Sequence, residues 1–500
     1  MTATTAVGTR AGTHGAGAPD RSRSVSFVRF VLRFTEPAAV TVPGTPDRDA
    51  PWGRGQANLV LDTDAWDRPH LPGTSLAGAL RELVRDTDGP DAANALFGRL
   101  LPKGGGTEVD AQASLIWVLG SRAVDAAGND LAQVPAEVFA STAISRERGA
   151  AEANTLRVEE VLPAGTRFEV FLRWDDAPPQ DLDRFLHLLA AWRPLIGRGV
   201  SRGRGRCEAM DVRHGTLRLD DPAGLLRWLT ASGPDLARAV ATTGVRAASP
   251  VPGHRPVLRV PLRITGPLRV GRGEPPEQDG DGPLIAPLYR RGGRYILPGT
   301  GLKGLLRARA EHILRSVKVT PSPCLNQQCG RCWPCEVFGF AGGQDVASQA
   351  VGARALIRVA DAAVGDGAPV RRRQHVAIDR FTGGAQDKLL YTVEALEGGQ
   401  FTLVVEPLAA HLPDGKLTEI RAVLRLVLED LDDGLIGIGA GVTRGYGSVT
   451  ADLGAAGTGG DLPSGRAARE QLARLVDESN AGQPADDPAG PSAMAAAEAR

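Results

Sequence analysis

The sequence predicts two α+β units in tandem, and three observations carry that prediction. Landmark motifs occur twice in one order, strand-period and helix-period segments follow the same succession in both copies, and four of the five cysteines crowd into the second copy alone. A chain of 500 residues is also too long for one ordinary domain of ~150 residues, and its 42% hydrophobic content is enough to build real cores.

The repeat is read directly. Leu71-Pro-Gly-Thr-Ser-Leu-Ala-Gly-Ala-Leu-Arg81 returns 226 positions later as Leu297-Pro-Gly-Thr-Gly-Leu-Lys-Gly-Leu-Leu-Arg307. Phe97-Gly98 returns 241 positions later as Phe338-Gly339, and Ile196-Gly-Arg-Gly-Val-Ser-Arg-Gly-Arg-Gly205 returns 242 positions later as Ile438-Gly-Ala-Gly-Val-Thr-Arg-Gly-Tyr-Gly447. Ala143-Ile-Ser-Arg146 and Ala377-Ile-Asp-Arg380 keep the same order between them. The offset grows by fifteen between the first two landmarks, which places an insert in the second copy, and the cysteines fall inside it.

Each copy opens with a segment of period near two, 26–34 and 257–264, as a strand with one buried face requires. A Pro-Gly-Thr turn then starts a helix. In the second copy Leu302, Leu305, Leu306, Ala310 and Ile313 form its apolar stripe, with Lys303, Arg307 and Arg309 off it. Further strands at 167–172 and 400–405 precede helices at 181–192 and 417–430, and each copy closes on a glycine loop. This order, with few parallel-crossover signals, suits ferredoxin-like units. The expected organisation is a disordered tail (1–24), a first unit (25–215), a helical connection (216–252), a second unit (253–453) with a metal insert at 321–336, and a disordered tail (454–500).

Fifty-eight basic residues balance fifty-eight acidic ones, which excludes a uniformly basic coat but not a local basic groove. No apolar run reaches the ~18 residues of a membrane helix, and the N-terminus lacks the apolar centre of a secretory signal. A cytoplasmic location without membrane partners is the expectation.

Cys324, Cys329, Cys332 and Cys335 lie within twelve positions, interleaved with Gly330 and Pro334, which permit tight turns. Four thiolates close a tetrahedral zinc site with no open position, so its role is structural; an iron–sulfur cluster is the alternative. The Pro-Gly-Thr starts place Gly299, Thr300, Thr74 and Ser75 where backbone amides can meet an anion, with Lys303, Arg307 and Arg81 one turn on. Only five lysines occur in the chain, so Lys303 is informative. The glycine loops lack Walker spacing; they offer Arg202, Arg204, Arg444 and Tyr446, a guanidinium-plus-aromatic set suited to a polynucleotide. The stretch from Arg371 to Ala385 is basic, then aromatic, then flexible, and reads as a hairpin for RNA through Arg371, Arg372, Arg373, His375 and Arg380. Its first-copy counterpart carries Arg146.

These motifs together resemble the RAMP superfamily, the RNA-recognition-motif-like proteins of CRISPR systems. The likeness is greatest to backbone subunits of type III interference complexes, here two units fused, over residues 25–453. The first copy departs from the pattern: Ala77 replaces the motif lysine, and Ala143-Ile-Ser-Arg146 lacks the aspartate and the Thr-Gly-Gly tail. The resemblance implies a guide (crRNA) partner, a complementary target RNA, and neighbouring effector subunits. It also implies Mg²⁺-assisted target cleavage by an aspartate before the Pro-Gly-Thr motif, which here falls on Asp281, with Asp279 beside it. Asn58 stands near that place in the first copy. A non-catalytic RNA scaffold and a guide-precursor nuclease are the competing functions.

Overall fold

In the computed structural model, which describes residues 23–46, 54–102, 109–246, 256–271, 277–278, 284–325, 329–341, 352–408, 412–454 and 462–481, the first strand of each unit lies inside its sheet. Ser24–Phe34 pairs antiparallel with Cys207–Arg218 on one side and Arg167–Asp175 on the other, and Ile116–Val124 lies outside Arg167–Asp175. Numbered within the unit, the order is fourth, first, third, second, which is the ferredoxin-like order. Helices Gly73–Asp88 and Pro179–Ala190 bring Leu76, Leu80, Phe185 and Leu189 onto Phe30, Leu32 and Phe34. The opposite face is covered by Gly233–Val240 from the connection, whose Leu236, Ala237 and Val240 meet Val25, Phe27 and Phe171.

The second unit repeats the plan. Leu258–Ile264 lies between Gln400–Pro407 and Val449–Ala451, with Ile357–Val359 at the edge beyond Gln400–Pro407. Its burial alternates without a fault, with Leu258, Val260, Leu262 and Ile264 inside and Arg259, Pro261 and Arg263 outside. Gly299–Ser316 and Asp414–Asp432 supply the helical layer. The glycine loops match in backbone as well as sequence: Gly199 and Gly203 flank a 3₁₀ turn in the left-handed region, and Gly441 and Gly445 do the same.

Each unit carries a second small sheet. In the first it is Thr41–Pro43, Leu59–Leu61, Arg157–Val161 and Glu137–Ser141. In the second it is Glu277–Gln278, Leu284–Ala286, Ala385–Leu396 and Val370–Ile378, the last two forming a long hairpin.

Two expectations are corrected. The tail expected from 454 contains a helix, Gly465–Ala481, which packs Ala468 and Leu472 onto the Asp414–Asp432 helix and its core. Its alanine-rich composition hides a stripe that continues through Leu475 and Val476. Lys303 lies off the apolar stripe, where a solvated side chain is expected, yet it is 8% exposed, because the first unit covers that face.

Candidate nucleic-acid interface and metal centre

The first-copy glycine loop sits against the start of the Gly299–Ser316 helix and joins the two units. A Cβ on Gly203 would lie 2.6 Å from Asp361, and one on Gly299 would lie 2.8 Å from the Arg202 carbonyl oxygen, so backbone meets backbone only because both are glycine. Lys303 Nζ donates to Ser201 Oγ at 2.8 Å. Burial first, then Arg202 and Arg307, push the Lys303 ammonium down to about 7. The anion position at this helix start is filled by Asp361, whose Oδ1 accepts from Gly299 N at 2.7 Å. Neither Thr300 nor Thr74 caps its helix; Pro298 and Pro72 stand at the N-cap.

An ion cluster fastens the joint. Arg358, 1% exposed, donates to the Val200 carbonyl at 3.0 Å, to Glu406 at 2.7 Å and to Glu36, while Arg206 pairs with Glu36 and Glu406. Arg146 Nε reaches across to Glu311 at 2.8 Å. Arg204 is buried, paired with Glu159 at 2.5 Å and laid over the Phe139 ring. Phe139 and Val161 of the first unit pack with Tyr289 and Ile296 of the second. Arg202, Arg204, Arg146, Lys303 and Thr300 therefore belong to the joint or line it.

The second-copy loop has no such cover among the described residues, and it meets the hairpin. His375 and Tyr391 are cross-strand partners and stack with ring centroids 5.3 Å apart. His375 Nε2 and Tyr446 Oη share a hydrogen bond of 2.9 Å, and Arg444 Nη1 donates to Tyr391 Oη at 3.0 Å. The Arg373 guanidinium lies 6.0 Å from the Tyr446 ring centroid and pairs with Glu397 at 2.8 Å. Arg371 and Arg444 are exposed beside this cluster, while Arg372 lies on the opposite strand face against Glu394 and Arg380 is exposed at the hairpin tip. Arg269 lies behind it with its Nε buried and without a hydrogen-bond partner among the described residues; burial first, then Arg444, lowers its pKa. At the hairpin tip Asp379 Oδ1 accepts from the amides of Phe381 and Thr382, which lowers its pKa and presents Phe381 at 98% exposure. Tyr391 and Arg269 escaped the sequence reading. Hairpin alternation opposite His375 was the signal for Tyr391, one of only four tyrosines.

Asp279 and Asp281 lie outside the described residues. The strands that bracket them are described: Glu277–Gln278 pairs with Leu284–Ala286, which runs parallel to Tyr391–Val393. Thr74 and Ser75 are exposed at the free helix start of the first unit. Arg81 is turned inward, donating to the Phe97 and Gly98 carbonyls and to Asn94.

The four cysteines fold onto one centre, all Sγ atoms within 4.8 Å of one another. Cys324 Sγ lies 3.8 Å from that of Cys332 and 3.6 Å from that of Cys335. A tetrahedron with Zn–S of ~2.3 Å has edges of ~3.8 Å, so the donor set fits zinc in spacing and chemistry. Arg307 does not face outward beside it: its Nη2 approaches Cys335 Sγ at 3.5 Å, Nη1 donates to the Gly339 carbonyl, and Nε pairs with Glu311 at 2.7 Å. A cation there offsets the negative charge of four thiolates.

Fold and site define a fused pair of ferredoxin-like units with one covered and one open glycine loop. The family model of the RAMP superfamily matches residues 14–208 and 262–450, and the chain belongs to that superfamily. Among solved structures it is similar to a chain of a "Type III-B Cmr-beta" complex determined by cryo-electron microscopy in the apo state, at 13% identity and a TM-score of 0.28, over 37% of this chain and 96% of that one. No curated protein matches. No described helix is long and apolar enough to cross a membrane.

Proposed function

We propose that this chain is a guide-RNA-binding backbone subunit of a type III CRISPR effector complex, working with crRNA, complementary target RNA and other effector subunits. One observation carries the reading. Two motifs far apart in sequence, the arginine hairpin and the second glycine loop, converge on one basic–aromatic cluster in which exposed Arg371 and Arg444 edge the half-buried His375, Tyr391 and Arg373 and the buried Tyr446. Stacked rings edged by guanidinium groups suit single-stranded RNA, where bases stack and phosphates ion-pair. The buried, unpaired Arg269 Nε at its back supports an anionic ligand.

Titrating labelled single-stranded RNA by anisotropy at several salt concentrations tests this. Replacing Arg371 and Arg444 by alanine removes two phosphate contacts, and the salt slope falls by about 1.4 at ~0.7 per contact. Unchanged affinity and slope would reject the cluster as the RNA path. We further propose that the second unit cuts target RNA through Asp281 with Mg²⁺; the motif resemblance and the bracketing strands beside Tyr391 support this. Complementary RNA should be cut by the assembled wild type and left intact but bound by Asp281→Ala, with Asp279→Ala doing less. Full cutting by both variants would leave the non-catalytic scaffold reading.

A further inference from the structure

The internal joint has a counterpart at each end of the chain. The first unit keeps an empty version of the helix-start groove, about 560 Å³, lined by His70, Gly73, Thr74, Ala77 and Arg81. The second unit keeps a glycine loop that is uncovered among the described residues. End-to-end joining of two copies would bring these together, so the pairs that lock the internal joint are comparable position by position with those that such contact would make.

The register fixes the equivalences. Val449 pairs with Ile264 as Cys207 pairs with Phe34, so Ser448 matches Arg206 and Gly266 matches Glu36. Phe401 faces Leu262 as Phe168 faces Leu32, so Glu406 matches Arg173; Val359 faces Val405 as Val118 faces Leu172, so Arg358 matches Trp117. Along the shared helix Lys303 matches Ala77 and Glu311 matches Arg85, while Ser201 matches Thr443 and Arg146 matches Arg380.

None of the locking pairs survives the substitution. Arg358 with Glu36 becomes Trp117 with Gly266; Arg206 with Glu406 becomes Ser448 with Arg173; Lys303 with Ser201 becomes Ala77 with Thr443. Arg146 with Glu311 becomes Arg380 with Arg85, two cations of which both are exposed. Trp117 is about half exposed and carries the Arg173 guanidinium of its own unit 4.6 Å from its ring centroid, where Arg358 and Glu406 instead form an ion pair. Attraction is lost at three pairs and repulsion is added at the fourth, which is how specificity is built against a wrong partner.

We infer that the joint is addressed: its side chains fit the first unit only to the second, and the chain's free ends reject a second copy of the chain. The protein thus enters any assembly as one two-unit block rather than as a self-extending row. Sedimentation of the full chain without RNA tests this. Wild type is expected at the mass of one chain across the attainable concentrations. A graft of the internal address onto the ends (Ala77→Lys, Arg85→Glu, Trp117→Arg and Arg173→Glu, with Gly266→Glu and Ser448→Arg) should give larger species that grow with concentration. Circular dichroism and a wild-type-like melting transition confirm that the graft is folded. A folded graft that stays at one-chain mass would overturn the inference, as would wild-type growth that Ala77→Trp in the groove abolishes.

Discussion

Replacing Lys303 by methionine should stabilise the protein at neutral pH and flatten the rise of stability with alkali. Lys303 is 8% exposed, its ammonium donates to the neutral Ser201 hydroxyl, and Arg202 and Arg307 lie close. Burial first and these cations second bring it from 10.5 to about 7. The sign follows from proton counts. Between about pH 7 and 10.5 the unfolded chain holds the proton and the folded chain does not, so stability rises with pH across that window; below it, both states hold the proton and the cost is constant. At ~1.4 kcal/mol per pK unit the full window is worth on the order of 5 kcal/mol, less ~1 kcal/mol for the Ser201 hydrogen bond that methionine forgoes. Urea unfolding of the full chain at pH 6.5, 8 and 9.5, followed by tryptophan fluorescence, measures it. Wild type should gain stability through the series relative to Lys303→Met, and Lys303→Arg, charged throughout, should be the least stable at pH 9.5. Equal slopes for wild type and Lys303→Met would refute the argument, because the difference isolates this one group.

Two further outcomes follow from the packing. Purified protein should carry one zinc equivalent by elemental analysis, and Cys332→Ser should lose it with several kcal/mol of stability, since binding such a metal contributes folding free energy. Arg358→Met should cost about 1–3 kcal/mol in urea unfolding by leaving Glu36 and Glu406 to Arg206 alone, and Glu36→Gln added to it should recover part of the loss.

Much of this was legible from local periodicity. The alternation at 257–264 gives the buried face of its strand, equal glycine spacing gives equal left-handed turns, and cysteine spacing gives the thiol cluster, because each depends on neighbours a few residues away. Lys303 and Arg307, four apart on one helix, read equally well as a phosphate clamp. Their fate is set at long range: Ser201 lies 102 positions from Lys303, and Gly339 lies 32 positions from Arg307. Helical spacing says which side chains share a face. It does not say whether water, RNA or another unit covers that face.

The repeat itself explains why equivalent motif residues part company. A glycine loop and a helix start are complementary in backbone, so two such units in one chain use one loop–helix pair on each other and leave the other pair open. Positions inside the joint then answer to packing: Arg204 is 6% exposed and paired with Glu159. Its counterpart Tyr446 instead packs against the hairpin, and Arg444 beside it remains exposed. Arginine at the one place and tyrosine at the other are therefore two solutions to different surroundings, a carboxylate on a strand of the first unit's small sheet and an imidazole on the second unit's hairpin. On this reasoning the RNA contacts of the proposed function concentrate in the second loop and its hairpin because the first loop is already occupied by protein.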